Sequence, residues 1–187
     1  MTGKETLTKD DWLRAAMERL RTRGIGGVRV LPLAKELGVS RGSFYWHFED
    51  RADLLRSMLD WWDREMTDSV IQLADQHRGS PKERLMAVAE DVVRSQRNRY
   101  EAAIRTWAEG DKRAAKTLRR VVHKRLDYIT GLFREAGFSP ADARARGDLL
   151  AVYVMSEDSI LADETVETRI RLLRRQIRLL TSQERSQ

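Results

Sequence analysis

Hydrophobic residues recur along this chain at the spacing of α-helices. Near the N-terminus, apolar residues three or four positions apart form one stripe, made of Trp12, Leu13, Ala16, Met17 and Leu20. Thr8, followed three positions later by Asp11, is a capping-box start for that helix, and Gly24 is a suitable C-cap. The pattern predicts a first helix that buries a single face.

The same reasoning predicts further helices over the rest of the chain. Their expected positions are about 32–37, 41–47, 51–76, 81–97, 100–109, 111–136, 140 onward and 163–180. Ser-Pro pairs at 80–81 and 139–140 place a capping serine before a proline at the first helical position. The sequence holds few breakers, with 3 prolines and 11 glycines. We therefore expect an all-α protein of about nine helices.

Two functional parts are expected to share the long fourth helix. A three-helix unit over residues 7–54 precedes a larger helical domain over residues 55–187, and no low-complexity linker separates them. A chain of 187 residues is long enough to bury a substantial core. The expected arrangement is an N-terminal domain continuous with a C-terminal domain.

The stretch from residue 28 to residue 55 has the pattern of a helix-turn-helix. Ala34 is small enough for two helices to approach, and Gly38 permits the positive φ of a tight turn. At about 100° per residue, Phe44 and Phe48 share one side of the third helix. Both are expected to be core residues, as is most of Tyr45. Trp46 falls on the opposite side with Gly42 and Ser43.

The outward side suits reading of the major groove of DNA. Gly42 lets the helix sit deep, Ser43 can bond a base edge, and Trp46 can pack on a thymine methyl or a sugar. Arg41 can reach a guanine or a phosphate, and Ser40 is expected to cap the helix near the phosphates.

Three further residues are expected to contact phosphates. Tyr45 and His47 flank the outward side, and Arg51 begins the fourth helix.

The run Leu-Ala-Lys-Glu-Leu-Gly-Val-Ser-Arg-Gly-Ser-Phe-Tyr-Trp-His-Phe at 33–48 resembles the DNA-binding signature of TetR-family (tetracycline-repressor-like) regulators. The resemblance covers about residues 7–58. It implies a dimeric, nine-helix repressor with a ligand pocket in its C-terminal part. It also places the DNA contacts on Ser40, Arg41, Gly42, Ser43, Tyr45, Trp46 and His47, with Arg51 in place of the usual lysine. The chain departs from the family at 30–32, where Val-Leu-Pro replaces polar or basic residues, so contacts from the second helix stay open.

Large apolar residues of the C-terminal part are candidates for lining that pocket. The predicted ligand-binding residues are Trp62, Met66, Met86, Trp107 and Tyr128. Plain core packing is the alternative for each of them. The expected effector is a small apolar or aromatic molecule, with Arg105, Gln96 and Asp91 as candidate polar contacts and Arg105 favouring an anion.

Two apolar stripes near the C-terminus predict a four-helix interface between two copies of the chain. Their members are Leu149, Val152, Tyr153, Ser156 and Ile160 on the eighth helix and Ile170, Leu173 and Ile177 on the ninth. Glu157 and Asp158 interrupt the first stripe, and arginines of the ninth helix are expected to pair with them.

Composition narrows the function classes. The net charge of +6 and the sequence pI of about 9.9 favour an anionic partner such as double-stranded DNA. There is no cysteine, and the three histidines are scattered, so neither a disulfide nor a metal site is expected. No phosphate-binding glycine loop or nucleophile elbow is present, so we expect no catalytic residue, no cofactor and no enzyme. No membrane span is expected, and the start at Met1–Thr6 lacks a signal peptide, so a cytoplasmic protein is expected.

The helix-turn-helix pattern and the resemblance to TetR-family regulators together predict a ligand-responsive repressor that binds a palindromic operator as a homodimer. Two alternatives stay open from sequence. One is an activator of the same fold, and the other is a DNA-binding protein without an effector.

Overall fold

The computed structural model describes residues 7–182, and every regular element in that range is helical. The helices are α1 (Lys9–Arg23), α2 (Val30–Glu36), α3 (Arg41–Phe44), α4, α5 (Pro81–Arg94), α6 (Glu101–Gly110), α7 (Lys112–Glu135), α8 (Pro140–Ile160) and α9 (Val166–Leu180). The continuous α4 consists of Arg51–Asp63, a π-helical turn at Arg64–Asp68, and Ser69–Gln76. The predicted nine-helix, all-α fold is confirmed for this part of the chain. The prediction made for Met1–Thr6 lies outside the described residues, as does the end of the predicted C-terminal domain at 183–187.

Two helices begin with the capping boxes that the sequence predicts. At α1 the Asp11 amide donates to Thr8 Oγ1 at 3.2 Å, while the Thr8 amide donates to Asp11 Oδ2 at 2.8 Å. At α5, Ser80 and Glu83 form the same pair of bonds at 3.3 and 2.7 Å. Each pair satisfies two backbone amides that the first turn otherwise leaves without partners.

The first hydrophobic core joins the N-terminal helices to the C-terminal part. The Trp12 and Phe44 rings meet edge-to-face with centroids 5.5 Å apart, and Met58 and Trp62 of α4 are fully buried in the same core. This core extends as far as Val121 of α7. The predicted boundary at residue 54 therefore crosses a continuous core.

A second core lies between α5, α7, α8 and α9. Leu85, Leu132 and Phe133 are almost completely buried there. Gly147 allows α8 to approach α7 closely, because a Cβ at that position would lie 2.7 Å from Thr130 Oγ1 and 3.3 Å from Thr130 backbone atoms. None of the helices described over residues 7–182 is long and apolar enough to cross a membrane.

Candidate nucleic-acid interface and internal cavity

The turn between α2 and α3 has the geometry that the sequence predicts. Gly38 adopts a φ of 68°, which a side chain would strain. The Val39 amide donates to the Ala34 carbonyl at 3.0 Å and closes the turn. Ala34 is buried, so α2 and α3 pack closely at this point. The two helices are thus held at a fixed angle.

The recognition helix is shorter than expected. α3 ends at Phe44 rather than at His47, and Tyr45, Trp46 and His47 form a turn. The reason is that the Tyr45 and His47 amides bond carbonyls three residues back, to Gly42 and Phe44 at 3.1 and 3.0 Å, which tightens the backbone. We call residues 41–47 the reading segment.

The reading segment presents aromatic and basic side chains to solvent. Trp46 is 87% exposed and Tyr45 51% exposed, whereas Phe44 and Phe48 are buried as predicted. The expectation that Tyr45 is mainly core was wrong, because its ring lies at the edge of Phe44 and its hydroxyl accepts from Arg41 Nη2 at 3.0 Å. An exposed tryptophan of this kind is unusual where no partner covers it.

Three other residues of the segment keep positions compatible with DNA contact. Ser43 and His47 are partly buried. A Cβ on Gly42 would have only Ser40 Oγ nearby, at 3.6 Å. No contact among residues 7–182 therefore requires glycine here. Its effect is to leave the outer surface of the helix without a side chain at this position.

Two predicted roles need correction. Ser40 occupies the N-cap position of α3 in extended backbone, but its side chain makes no capping hydrogen bond. Arg51 does not simply extend toward phosphates. Its Nε donates to the Val28 carbonyl at 2.7 Å and its Nη2 to the Ile25 carbonyl at 2.9 Å. The guanidinium thereby ties the loop between α1 and α2 to the start of α4.

Sequence reasoning missed Lys9, which lies near the reading segment. The ammonium of Lys9 lies 4.9 Å from the Phe48 ring centroid, so the first turn of α1 adds a cation beside the segment. Leu31 in the first turn of α2 is 61% exposed. The sequence analysis had already singled out the stretch at 30–32 that contains Leu31, whereas nothing in the local sequence distinguishes Lys9.

An internal cavity of about 60 Å³ lies where α4, α5, α7 and α8 meet. This volume holds a few waters and is well below that of a typical site for a drug-sized ligand. Most of its wall is apolar, and two of the predicted residues, Met66 and Tyr128, belong to it. The others in the wall are Thr67, Val70, Ile71, Val88, Val92, Arg97, Asn98, Glu101, Arg125, Ile129, Ala151, Val154 and Met155.

The other three predicted ligand contacts are not in this wall. Trp62 and Trp107 belong to the first core, where helical periodicity alone cannot distinguish them from cavity residues. Met86 packs against the second core. Arg105 and Gln96 are exposed, so neither is a polar contact of the cavity. Asp91 does not line the cavity, but it accepts a hydrogen bond from Arg97, which does.

Two arginines of the cavity wall are engaged by the protein itself. Arg97 donates through Nε to Asp91 at 2.5 Å and through Nη1 to the Glu65 carbonyl at 2.8 Å. Arg125 donates through Nη1 to Glu101 Oε1 at 2.7 Å and through Nε to Thr67 Oγ1 at 2.9 Å. Both guanidiniums therefore hold the π-helical turn of α4 against the cavity.

A buried polar cluster borders the cavity on the side of α8 and α9. Asn98 Nδ2 donates to the Val154 carbonyl and to Glu157 Oε1, both at 2.9 Å. Glu157 is fully buried and accepts from Arg169 Nε at 2.6 Å. The predicted pairing of an α9 arginine with an α8 acid is thus found within one chain. Asn98 and Glu101 were missed, because their local sequence shows no sign of burial.

Several apolar residues of α8 and α9 are exposed, and we call this set the α8–α9 face. It consists of Leu149, Val152, Ile160, Leu172 and Leu179, with exposed fractions of 63, 61, 68, 37 and 64%. Tyr153 and Ser156 are partly buried beside it. Three predicted interface residues, Ile170, Leu173 and Ile177, are instead buried in the second core, because the α9 stripe turns inward toward α5 and α8.

Comparison with known sequences identifies the N-terminal part. Residues 13–58 match the family described as bacterial regulatory proteins, tetR family. The chain is 27% identical over 96 residues to the HTH-type transcriptional regulator AcrR of Shigella flexneri, a match that covers 49% of this chain and 45% of that protein. It is 34% identical over 53 residues to TtgR of Pseudomonas putida, covering 28% and 25%. The matches thus span less than half the length of these relatives.

Comparison with solved structures extends the fold likeness to nearly the whole chain. A TetR-family transcriptional regulator of Streptomyces coelicolor superposes with a TM-score of 0.76 at 19% identity, over 92% of this chain and 87% of that one. A transcriptional regulator of Aquifex aeolicus gives a TM-score of 0.73 at 15% identity, over 92% and 98%. At these identities the likeness establishes the fold of the C-terminal helices.

Proposed function

Because the chain belongs to the TetR family of bacterial regulatory proteins, we propose that it represses transcription by binding an operator as a homodimer and releases the DNA when a small molecule enters its cavity. The observation that carries the proposal is the reading segment. Arg41, Tyr45 and Trp46 are exposed there, while Phe44 and Phe48 on the inner side are buried.

The segment supplies both kinds of DNA contact. In this proposal Ser43 and Arg41 contact base edges, and Trp46 contacts a thymine methyl or a sugar. The Tyr45 hydroxyl and the ring of His47 suit phosphates, and Lys9 adds a cation close by. The bond from Arg41 to Tyr45 at 3.0 Å holds two of these side chains in a defined orientation before DNA arrives.

The α8–α9 face supports dimerisation. Leu149, Val152 and Leu179 expose much of their side chains in one region, and burial of such a surface against a second copy removes apolar area from water. A twofold dimer places two reading segments in successive major grooves about 34 Å apart. The expected operator is therefore an inverted repeat.

The cavity supports control by an effector. Met66 and Thr67, in the π-helical turn of α4, form part of its wall. The N-terminal half of the same helix contributes Leu54 and Met58 to the core that also buries Phe44 of α3. A molecule that enlarges the cavity displaces α4 and changes the separation of the two reading segments, which couples the two sites. This arrangement favours an effector-controlled protein over one that lacks an effector.

Selection of bound sequences from random duplex DNA tests the proposal. Wild-type protein is expected to enrich one sequence family, and its affinity for that family falls as salt rises because phosphate contacts release counterions. The Ser43→Ala variant is the matched comparison and is expected to enrich an altered sequence family. Retention of all sequences equally at moderate salt would contradict the proposal.

A further inference from the structure

Two buried oxygen atoms beside the cavity have no hydrogen-bond partner among residues 7–182. They are Oδ1 of Asn98 and Oε2 of Glu101. Asn98 is 3% exposed, Glu101 is 2% exposed, and both residues line the cavity. A buried acceptor without a donor is destabilising, so an arrangement with two of them beside one cavity calls for an explanation.

The orientation of both side chains is fixed by their other bonds. The Asn98 amide nitrogen donates to two acceptors, the Val154 carbonyl and Glu157 Oε1. Exchanging the nitrogen and oxygen of this amide would place its oxygen against both acceptors, so the observed orientation is the favourable one. Glu101 uses its Oε1 to accept from Arg125 at 2.7 Å. The remaining oxygen of each side chain is consequently an acceptor without a donor in the described part of the chain.

The nearby donors are already engaged. Arg125 donates to Glu101, to Thr67 and, at 3.4 Å, to the Met66 carbonyl. Arg97 donates to Asp91, to the Glu65 carbonyl and to Ser69. Each arginine is also balanced by one carboxylate, since Arg125 pairs with Glu101 in the wall and Arg97 pairs with Asp91 just outside it. Neither guanidinium is therefore left to attract an anion.

We infer that the cavity binds a small, neutral, largely apolar molecule that presents a hydroxyl or amide N–H donor, and that Asn98 and Glu101 recognise that donor. The inference rests on the proposal that the cavity is the effector site. It replaces the expectation of an anionic effector, since Arg105 is exposed and the arginines of the wall are paired. The apolar side chains from α4, α5 and α8 bind the rest of the molecule.

The test uses two isomers of similar size that differ in the donor. 1-Butanol carries a hydroxyl, 1-methoxypropane has the same formula without an O–H, and butanoate represents an anion. Protein labelled on the methionine methyl groups is titrated with each compound by NMR. Met66 and Met155 line the cavity, whereas Met17 and Met58 lie in the first core and serve as internal controls.

The expected result is that 1-butanol shifts Met66 and Met155 selectively and binds about tenfold more tightly than 1-methoxypropane, with butanoate weaker still. Equal affinity for the two isomers, preference for butanoate, or no selective shift of the two cavity methionines would overturn the inference. These titrations contain no DNA. A negative result would therefore overturn the ligand proposal without bearing on operator binding.

A Glu101→Gln substitution tests the recognising atom. The new amide keeps an oxygen for Arg125 and places an NH₂ group where the unpaired oxygen was. The reverse orientation is disfavoured because it would place the NH₂ group against the guanidinium of Arg125. The preference for 1-butanol is expected to fall at least about threefold. Glu90→Gln is the matched control, because Glu90 is also ion-paired but does not line the cavity. An unchanged preference in Glu101→Gln would exclude Glu101 as the recognition residue.

Discussion

Arg125 donates from Nε to the hydroxyl of Thr67 at 2.9 Å, a bond that joins α7 to the π-helical turn of α4. The same guanidinium pairs with the buried Glu101 of α6. One side chain therefore connects the cavity wall to the helix that carries the N-terminal domain. Any molecule that moves Glu101 or Arg125 acts directly on the middle of α4.

Replacement of Arg125 by methionine is expected to lower the free energy of unfolding by about 3–5 kcal/mol, because Glu101 would remain buried without its partner. Thr67→Val removes only the bond to Nε and is expected to cost about 1 kcal/mol. Urea denaturation followed by circular dichroism measures both. Arg105→Met, at an exposed position of α6, is the control and should change stability by less than about 0.5 kcal/mol. An Arg125→Met protein as stable as this control would show that the pair is not needed.

The reading segment is expected to separate stability from DNA affinity. Trp46 is 87% exposed, so Trp46→Ala should leave the free energy of unfolding within about 0.5 kcal/mol of wild type while weakening binding to the selected operator. Fluorescence anisotropy with a labelled duplex measures the affinity. Tyr45→Phe, which removes the partner of Arg41, is expected to weaken binding to all sequences alike. Full operator affinity in both variants would remove these residues from the interface.

Residues that contact bases are expected to behave differently from those that contact phosphates. Ser43→Ala or Arg41→Ala should change discrimination at one base position by about 1–3 kcal/mol. His47→Ala should lower affinity without changing the preferred sequence. Competition with duplexes that differ at single positions distinguishes the two outcomes. A uniform loss in the Ser43 and Arg41 variants would reassign them to the DNA backbone.

Charge introduced on the α8–α9 face is expected to produce monomers that remain folded. Leu149 and Leu179 are each more than 60% exposed, so Leu149→Glu and Leu179→Glu should not disturb the core. Leu73→Glu places the same charge on another exposed leucine, in α4 away from this face, and should leave the dimer intact. Sedimentation velocity measures the assembly state. Dimers that persist in both α8–α9 variants would place the interface elsewhere.

Acid is expected to weaken the link between α5 and α9. Hydrogen bonds from Arg174 lower the pKa of Glu90 below its ordinary value of 4.5. The carboxylate therefore adds stability at pH values above 4.5, and this contribution is lost as the pH falls through the lowered pKa. Glu90→Gln should cost about 0.5–1 kcal/mol at pH 7 and show a smaller loss in acid. Glu109→Gln, at an exposed position of α6, is the comparison. If the free energy of unfolding depends on pH in the same way in both variants, the stabilising role of the Glu90–Arg174 pair would be contradicted.

The helices and the reading segment could be predicted from local patterns. The capping residues Thr8 and Ser80, the turn at Gly38 and the spacing of Phe44 and Phe48 all act over a few residues, so the sequence displays them directly. The shortened α3 was less accessible, because three-residue backbone bonds near Tyr45 depend on how the following turn packs.

The cavity and the interface depend on contacts between distant residues. The π-helical turn at Arg64–Asp68 has no clear local signal, and Asn98 meets Glu157 across 59 positions of the chain. The apolar periodicity of α9 is the same whether Leu173 faces a partner or its own core. Sequence reasoning therefore assigned Ile170, Leu173 and Ile177 to the wrong face of α9. The placement of the interface on α8 and α9 stays a prediction.

The central claim is that a symmetric dimer reads two half-sites with its reading segments. Hydroxyl-radical footprinting of the protein on a duplex obtained by selection tests this most directly. We predict two protected patches related by a twofold axis, on one face of the DNA and with centres about 34 Å apart. A single patch, or protection that spreads evenly along the duplex, would contradict the account.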